Sequence, residues 1–515
     1  MKKIFLFAAA AAMLTACSSE ELAGTETAQQ KAGEAPINFS VYTPRSITRS
    51  GSANYANKVD GMVTSDLENI GLGILAYYTD DEKFDADKST PNFMYNTQVK
   101  KVGTKWTYNP VMYWPNEFKN ASAENIDRVS FFAYAPYVEV DNTTGIPYAD
   151  QANWQNDKKL ITTEEKNITA ISKNTATGDP IVKYVVDTDP NTSVDLLWGV
   201  ASNTAATKYV AIDNGNSAVT VTPGLPFLNL VKPNVPTDAD GGVVSFNMCH
   251  ALSKLNIDVK YIADAETPTG ASEDINAAET RVYIRSIKIG GFVMKAALDL
   301  NNKEKQESGT AGNYRGKALW KDYDGKSALS WSDNVKFFDG RKDGKEGTES
   351  GDNLNESYLG LNPLLLENYV NDTWAGTEWS KTYLNGGKTP GVTKEAQNLF
   401  AGKIDATNAA PAANLPIYVI PVGDEIDIEI EYDVLTADGN LSTFLSDGLT
   451  HGSMIKNIIS KKSKEIFKTT DPVKMEDGKS YIIHLILGMT SVKIEAEVTD
   501  FEAENATANL PQNQD

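Results

Sequence analysis

The feature that most constrains this chain is a recurring pattern of short runs in which apolar and polar residues alternate. In the first run, Ile37, Phe39 and Val41 alternate with Asn and Ser. A period of two is typical of a β-strand with one buried face. Clusters of Asn, Asp, Gly and Pro separate the runs, which favours antiparallel β-sandwiches. Further strand-like runs lie at 70–78, 129–137, 194–200, 218–222, 243–246, 254–262, 282–292, 296–300, 417–422, 426–435, 481–487 and 492–498.

Helical periodicity is scarce in this sequence. Residues 453–466 form the best candidate for an amphipathic helix. Two long polar stretches, 141–189 and 301–356, are rich in Asn, Asp, Gly, Lys and Thr. Loops of this length are uncommon in compact domains and are often functional or mobile. The sequence therefore predicts an all-β fold interrupted by long loops.

The chain has 515 residues, which is enough for two or three domains. Residues 263–279 are polar, contain Pro and Gly, and have β-rich sequence on both sides. We therefore predict a linker at 263–279 between an N-terminal β-sandwich domain at 36–262 and a C-terminal one at 280–501. Residues 502–515 are predicted to form a polar tail.

The N-terminus is typical of an exported protein. Two lysines precede an apolar stretch at 4–13, which is the pattern of a secretory signal peptide and is too short to span a bilayer. Leu-Thr-Ala before Cys17 resembles the bacterial lipobox, in which the cysteine thiol receives a diacylglyceryl group. Residues 1–17 are thus predicted to be a lipoprotein signal with its lipidated cysteine, and 18–35 a flexible tether. The alternative is ordinary signal cleavage, at which Cys17 is incidental.

The charge balance restricts the partners of this chain. Its formal net charge is −21, which argues against nucleic-acid binding because such proteins present a basic surface. The same charge disfavours electrostatic docking on anionic lipid, so an acyl chain on Cys17 would be the membrane contact. Cys249 is the only other cysteine, and we interpret it as a small buried hydrophobe.

No catalytic or metal-binding pattern stands out in the sequence. The three histidines are far apart, and two Gly-Lys-Ser triplets, at 325–327 and 478–480, lack the upstream glycine of a phosphate-binding loop. The Asp-Gly cluster at 339–345 lacks the spacing of an EF-hand. With 69 Asp and Glu residues, a pair of neighbouring carboxylates is expected by chance. We predict a protein that is not an enzyme and that has no cofactor and no metal site.

Two aromatic segments admit two interpretations. They are Trp106-Thr107-Tyr108 and Tyr113-Trp114-Pro115. Such rings can stack on sugars, but aromatic residues at strand positions more often fill a core. The core interpretation is the one we favour.

Several motifs, taken in order, resemble the fimbrillin family of Bacteroidia, the Mfa-like and FimA-like type V pilins. None of the motifs is decisive alone, and their order over nearly the whole chain carries the resemblance. After the lipobox Cys17 and the first strand they are Thr48-Arg49, Tyr113-Trp114-Pro115, Phe131-Phe132-Ala133-Tyr134-Ala135-Pro136, Asp195-Leu196-Leu197-Trp198, His250-Ala251-Leu252-Ser253-Lys254-Leu255, Gly478-Lys479-Ser480-Tyr481 and the run at 492–501.

The resemblance implies two tandem transthyretin-like antiparallel β-sandwich domains and assembly by strand exchange. It also implies a lipidated precursor at the outer membrane, cleaved after an early arginine by an arginine-specific protease. Release of the first strand would leave a groove for a strand from another pilin subunit, in an extracellular fimbrium.

The residues fit such processing. Arg45 and Arg49 follow the first strand in a segment with Pro, Ser and Gly, and exposed segments of small residues are where proteases cut. A cut at either arginine would remove Ile37, Phe39 and Val41. Arg49 is the preferred candidate because it matches the family's Thr-Arg step. The alternative is that both are ordinary loop arginines.

A donor strand is less well marked. Val492, Ile494, Ala496 and Val498 alternate without a break, so this run is either a donor for a neighbouring subunit or the last strand of its own domain. In the second case the subunit would accept a strand without supplying one, as a tip pilin does. Position as stalk, tip or anchor stays open.

The leading interpretation is a structural or adhesive pilin, stalk or tip, with a host or glycan ligand as a possible partner. The alternative is a surface glycan-binding lipoprotein of the outer membrane, which would keep its lipid and its first strand. A third is a secreted carbohydrate-active enzyme, which would need two carboxylates facing each other across a cleft.

Overall fold

In a computed structural model, the regular secondary structure of the described residues is almost entirely β-strand. The structure describes residues 36–43, 61–115, 127–233, 242–261, 280–307, 314–327, 338–339, 397–398, 416–421, 427–436, 453–462, 474–487 and 492–500, with short gaps inside the longer ranges. The predicted all-β class is confirmed. The tandem transthyretin-like arrangement stays a prediction.

Twenty-five strands and one helix lie in the described ranges. In the first half they are β1 (Asn38–Tyr42), α1 (Thr64–Ile70), β2 (Leu72–Thr79), β3 (Met94–Val102), β4 (Lys105–Thr107), β5 (Arg128–Ala135), β6 (Asn167–Ile171), β7 (Ile181–Val185), β8 (Leu197–Ala201), β9 (Ile212–Asp213), β10 (Ser217–Ala218), β11 (Phe227–Leu230), β12 (Val243–His250) and β13 (Ser253–Tyr261). In the second half they are β14 (Thr280–Gly290), β15 (Lys295–Asp299), β16 (Lys305–Glu307), β17 (Tyr314–Gly316), β18 (Leu319–Lys321), β19 (Phe338–Asp339), β20 (Gln397–Asn398), β21 (Ile417–Val419), β22 (Asp427–Thr436), β23 (Ser453–Lys462), β24 (Lys479–Leu487) and β25 (Val492–Asp500).

The largest sheet has eight strands in the order β1-β12-β8-β5-β2-β3-β4, and β11 also pairs with β5. All of these pairs are antiparallel except one. The exception is β1, which lies at the end of the sheet and runs parallel to β12. Because a parallel neighbour cannot be joined by a hairpin, β1 reaches its place from far away in the sequence.

The central strands of this sheet are buried on both faces. Every residue of β8 and β12 is buried, and β2 and β5 are buried over most of their length. On one face Phe131 and Phe246 belong to the core that also holds β1. On the other face Phe132 and Trp198 pack in a second core with residues of the second half of the chain. Burial on both faces explains why β2 and β5 read as unbroken apolar runs rather than strict alternations.

A second sheet joins strands from both halves of the chain, in the order β18-β15-β7-β6. An ion-pair cluster fixes the same junction. The Lys321 ammonium lies 2.7 Å from Asp299 and 3.0 Å from Asp179, which lies two residues before the start of β7. Burial raises the pKa of Asp299, and the hydrogen bond from Lys321 opposes that shift.

Strand pairing therefore crosses the predicted linker. Strand β7, before the predicted linker, pairs with β15, which follows it. Strand β13, also before the linker, pairs in parallel with β24. Residues 263–279 themselves lie outside the described residues. The division into domains at 36–262 and 280–501 stays a prediction. Two sheets contain strands from both predicted domains.

One expectation of secondary structure was wrong. Residues 453–466 were expected to form an amphipathic helix, but β23 occupies 453–462 and pairs with β22 along ten residues. The spacing of its apolar residues suits a helix face, but β-branched isoleucines also favour extended backbone, and the continuous ladder to β22 decides between the two.

Several short elements lie where the sequence predicted loops or nothing. Strands β6 and β7 lie within the polar stretch 141–189, and β16, β17 and β18 within 301–356. Helix α1 also escaped prediction, because it is only seven residues long. The Asp66 carboxylate accepts the Val63 N–H at its start, 3.0 Å away, and Gly71 ends it with a positive φ.

The β7–β15 pairing predicts a specific disulfide. Val185 and Lys295 are direct cross-strand partners, and such residues have Cβ atoms about 4.5–5.5 Å apart. We expect the Val185→Cys/Lys295→Cys variant to form this disulfide on mild oxidation, detected as a linked peptide pair by mass spectrometry.

The matched control is Val185→Cys/Ala296→Cys. A shift of one residue places the second side chain on the opposite face of the sheet, so this pair should stay reduced. Equal cross-linking of the two variants would contradict the register.

Candidate functional site

The first strand lies between two separate parts of the eight-stranded sheet. Along one side β1 pairs with β12, from Asn38 opposite Val243 to Tyr42 opposite Asn247. At its start the Ile37 N–H donates to the carbonyl of Met112, 2.9 Å away, and Pro36 forms an isolated bridge with Tyr113. The segment 108–113 follows β4, the strand at the far end of the sheet. Strand β1 therefore connects the two ends of this sheet.

The side chains of β1 alternate as the sequence predicts. Ile37, Phe39 and Val41 are buried, with 1%, 5% and 6% of their surface exposed. Asn38 is exposed, and Tyr42 is 45% exposed. One face of the strand thus completes the core while the other faces solvent.

Phe39 occupies a pocket walled by three aromatic rings. The ring of Tyr108 is edge-on with a centroid distance of 5.3 Å, and that of Phe131 is edge-on at 5.9 Å. The Phe246 ring, on β12, is nearly parallel at 6.3 Å. These distances lie in the range in which aromatic pairs attract beyond simple burial.

Polar contacts hold both ends of the strand. The Tyr108 hydroxyl donates to the carbonyl of Ile37, 2.8 Å away, and burial raises the pKa of Tyr108, so the hydroxyl keeps its proton. At the other end Thr43 is fully buried. Its N–H donates to the Thr64 hydroxyl at 3.0 Å, and the two hydroxyl oxygens lie 2.7 Å apart.

A buried polar network beside the groove joins two of the sequence motifs. His250 and Asp195 come from motifs 55 residues apart, and Nδ1 of His250 lies 2.7 Å from Oδ2 of Asp195. The same Oδ2 accepts the N–H of Met62, 3.1 Å away. Asp195 therefore anchors the chain just before α1. In the sequence, residues 44–60 separate this anchor from β1.

Tyr184 supports this network from the second sheet. Its hydroxyl donates to the carbonyl of Val194, 2.5 Å away. Burial first, and then the neighbouring Asp195, raise the pKa of Tyr184, so the hydroxyl stays a donor. These contacts could not be predicted from local sequence patterns, because they join residues far apart in the chain.

The Tyr-Trp-Pro segment is part of the core. Trp114 is 1% exposed and contacts Phe131 and Tyr209, with ring centroids 5.7 and 5.5 Å apart. Trp106 and Tyr108 are partly buried against the same core. The structure thus favours the core interpretation of both aromatic segments.

Three predicted sites lie outside the described residues: Cys17, Arg45 and Arg49. Their roles stay predictions. In sequence, Arg45 follows the last residue of β1 by three positions and Arg49 by seven. Both arginines precede Met62, the residue that Asp195 anchors. A cut at either one would separate β1 from the rest of the chain.

The candidate donor run forms β25. Residues Val492, Ile494, Ala496 and Val498 lie in this strand, which pairs with β24 in antiparallel direction over nine residues. Strand β25 is at the end of its sheet, in the order β20-β13-β24-β25, and Val498 is 41% exposed. The run is thus paired within its own chain, and a donor role stays a prediction.

Within the described ranges, no group of three or more His, Cys, Asp or Glu residues is arranged to hold a metal ion. Among the same residues, no helix is long and apolar enough to cross a membrane.

The chain is similar to fimbrial proteins of Bacteroidales. It is 25% identical over 231 residues to the fimbrium subunit Fim1C of Phocaeicola vulgatus, and the match covers 44% of this chain and 44% of that protein. The predicted resemblance to fimbrial subunits is confirmed by this relative. No protein-family model matches the chain.

The chain also matches two solved structures over most of its length. A fimbrial protein from Bacteroides vulgatus matches with a TM-score of 0.43 and 17% identity, over 91% of this chain and 99% of that chain. A Bacteroides uniformis protein assigned to cell adhesion matches with a TM-score of 0.33 and 11% identity, over 92% of this chain and 100% of that chain. The prediction that the chain is not an enzyme agrees with the description of the Phocaeicola vulgatus relative as a fimbrium subunit.

The aromatic pocket predicts a large effect of Phe39→Ala. Removing a buried phenylalanine side chain costs about 3–5 kcal/mol, so we expect the free energy of unfolding to fall by about that amount. Denaturant titration followed by tryptophan fluorescence measures the change.

Asn38→Ala is the neighbouring control, because Asn38 is exposed on the same strand. Its cost should stay within about 0.5 kcal/mol. If Phe39→Ala cost no more than Asn38→Ala, the packing of β1 into the core would be refuted.

Proposed function

We propose that this chain is a structural or adhesive subunit of a type V fimbria, a stalk or tip pilin, assembled by strand exchange. It would be exported as a lipoprotein precursor, lipidated at Cys17 and held at the outer membrane. Cleavage after Arg49, or after Arg45, would then release the first strand, and the subunit would pass into an extracellular fimbrium with other pilins. The similarity to fimbrium subunit Fim1C supports the fimbrial assignment.

The position of β1 is the observation that carries this proposal. It is a short end strand, parallel to its single ladder partner β12, and it fills the core with three side chains. Burying one such side chain is worth about 1.5–3 kcal/mol, so three contribute roughly 5–9 kcal/mol. A groove of this affinity would capture another extended strand once its own was removed.

The anchoring of the chain after the proposed cut sites supports removal of β1 without unfolding of the rest. The proposed cut sites lie between Thr43, the last described residue after β1, and Met62. Met62 is held by Asp195 on the retained side, and α1 follows directly. The cut would therefore detach β1 while the retained chain stays fixed from Met62 onward.

A lipid on Cys17 would be temporary in this scheme. Cys17 lies on the same side of Arg45 and Arg49 as β1, so one cut removes the lipid anchor and the first strand together. Lipidation would thus hold the precursor at the outer membrane until processing.

The glycan-binding alternative requires an exposed aromatic platform. The described tryptophans are Trp106, which is partly buried, and Trp114, Trp198 and Trp320, which are 6% exposed or less. Among the residues that the structure describes, the tryptophans thus fill cores, which favours the pilin proposal.

Treatment of the full chain with an arginine-specific protease tests the proposal. We expect early cleavage after Arg49 or Arg45, shown by N-terminal sequencing of a product that stays folded. After the released fragment is washed away, the product should bind a labelled synthetic peptide of residues 36–43, measured by fluorescence anisotropy.

The control is Arg45→Ala/Arg49→Ala, which should neither lose its N-terminus under the same conditions nor take up the peptide. Strand exchange is ruled out by either of two results: resistance of the natural chain to cleavage in this segment, or a folded, cut product that binds no β1 peptide.

A further inference from the structure

We call the site that residues 37–43 occupy the β1 groove. It is selective, because the four positions whose side chains point into the core differ in the residues that they accept. Those positions are filled by Ile37, Phe39, Val41 and Thr43, all buried. Two of them, Ile37 and Val41, are aliphatic side chains in this core, and we expect their positions to accept many apolar residues. The other two set stricter conditions.

The Phe39 position selects for an aromatic ring. Three rings surround it, at centroid distances between 5.3 and 6.3 Å. A small side chain would leave a cavity among them, and cavities in a packed core are costly because the walls relax only in part. The pocket is thus matched to the shape of an aromatic ring.

The Thr43 position selects for a small hydroxyl residue. Thr43 is fully buried, and its hydroxyl lies 2.7 Å from that of Thr64. A carboxylate in this place would lose its hydration on burial, and an aliphatic residue would leave the Thr64 hydroxyl with one contact fewer.

Strand β25 of this chain does not meet these conditions. If Ile494 and Val498 took the places of Ile37 and Val41, Ala496 would stand in the aromatic pocket and Asp500 at the buried hydroxyl position. The register two residues further along places Ile494 in the aromatic pocket, Ala496 at the Val41 position and Val498 at the hydroxyl position. Neither register supplies an aromatic or a hydroxyl residue.

We propose that the strand entering this groove carries an aliphatic, an aromatic, a β-branched and a small hydroxyl residue at successive alternate positions, and that a different subunit supplies it. Strand β25 of a second copy would be rejected. This inference rests on the proposed strand exchange. The groove of this subunit would then receive a strand from a different subunit, and the chain would not polymerise alone through β25.

Peptide binding to the protease-cut full chain, washed free of its released fragment, tests this selectivity. Four peptides are compared by fluorescence anisotropy. They are residues 36–43, the same peptide with Phe39→Ala, residues 492–500, and the latter with Ala496→Phe and Asp500→Thr.

The expected order is set by the two selective positions. Phe39→Ala should weaken binding of the 36–43 peptide about 100-fold. The 492–500 peptide should bind at least about 100-fold more weakly than the 36–43 peptide, and its two substitutions should restore at least about tenfold. The gain is decisive, since poor folding of the receptor cannot produce it.

Two outcomes overturn the inference while leaving strand exchange intact. One is binding of the unchanged 492–500 peptide within about threefold of the 36–43 peptide. The other is binding of the 36–43 peptide without any gain from the two substitutions in 492–500. Failure of the 36–43 peptide to bind overturns strand exchange and this inference with it.

Discussion

The packing of Phe39 among Tyr108, Phe131 and Phe246 joins the two ends of the eight-stranded sheet. Phe246 lies on β12 at one end, and Tyr108 follows β4 at the other. The main chain of β1 follows the same course, with its ladder to β12 and the hydrogen bond from Ile37 to Met112. One short strand thus closes a core that most of the first half of the chain helps to build. The proposed function depends on this closure, because removal of β1 would expose the part of the core that Ile37, Phe39 and Val41 cover.

The chain from Met62 onward, which the proposed cut would retain, has its own anchor at Asp195. Asp195 binds both His250 and the main chain of Met62 inside the core. Removing one partner of this buried hydrogen bond is destabilising, because it leaves an unsatisfied polar group in the core. Under the proposed processing, residues before the arginines would leave with β1. Residues from Met62 onward would stay, held by Asp195.

Much of the fold follows from local sequence, and the errors have physical causes. The unbroken apolar runs of β2 and β5 and the alternation in β1 were predicted correctly, because the core imposes its pattern on each strand. Strands β6 and β7 were missed because their buried residues, such as Ile168 and Tyr184, lie within a long polar stretch. The helix expected at 453–466 proved to be β23, where pairing with β22 outweighs a spacing that also suits a helix. Local patterns carry no information about such long-range partners.

In the candidate site, too, local features could be predicted from the sequence and long-range contacts could not. Ile37, Phe39 and Val41 could be found from their period of two. The rings around Phe39 and the partners of Asp195 could not, since they come from strands brought together only by the fold. The motifs on which the family resemblance was based contribute Trp114, Phe131, Asp195 and His250 to the surroundings of β1. Their order in the sequence was informative because they pack around one strand.

Hydrogen–deuterium exchange before and after removal of the first strand tests most directly whether β1 is a separable insert. Amides whose protection depends on β1 should exchange faster in the cut chain, at 243–247 in β12 and at 108–113, while those of β5 keep their protection. Exchange that rises across β5 and β8 as well would show that β1 is an integral part of the sheet. That result would contradict the account.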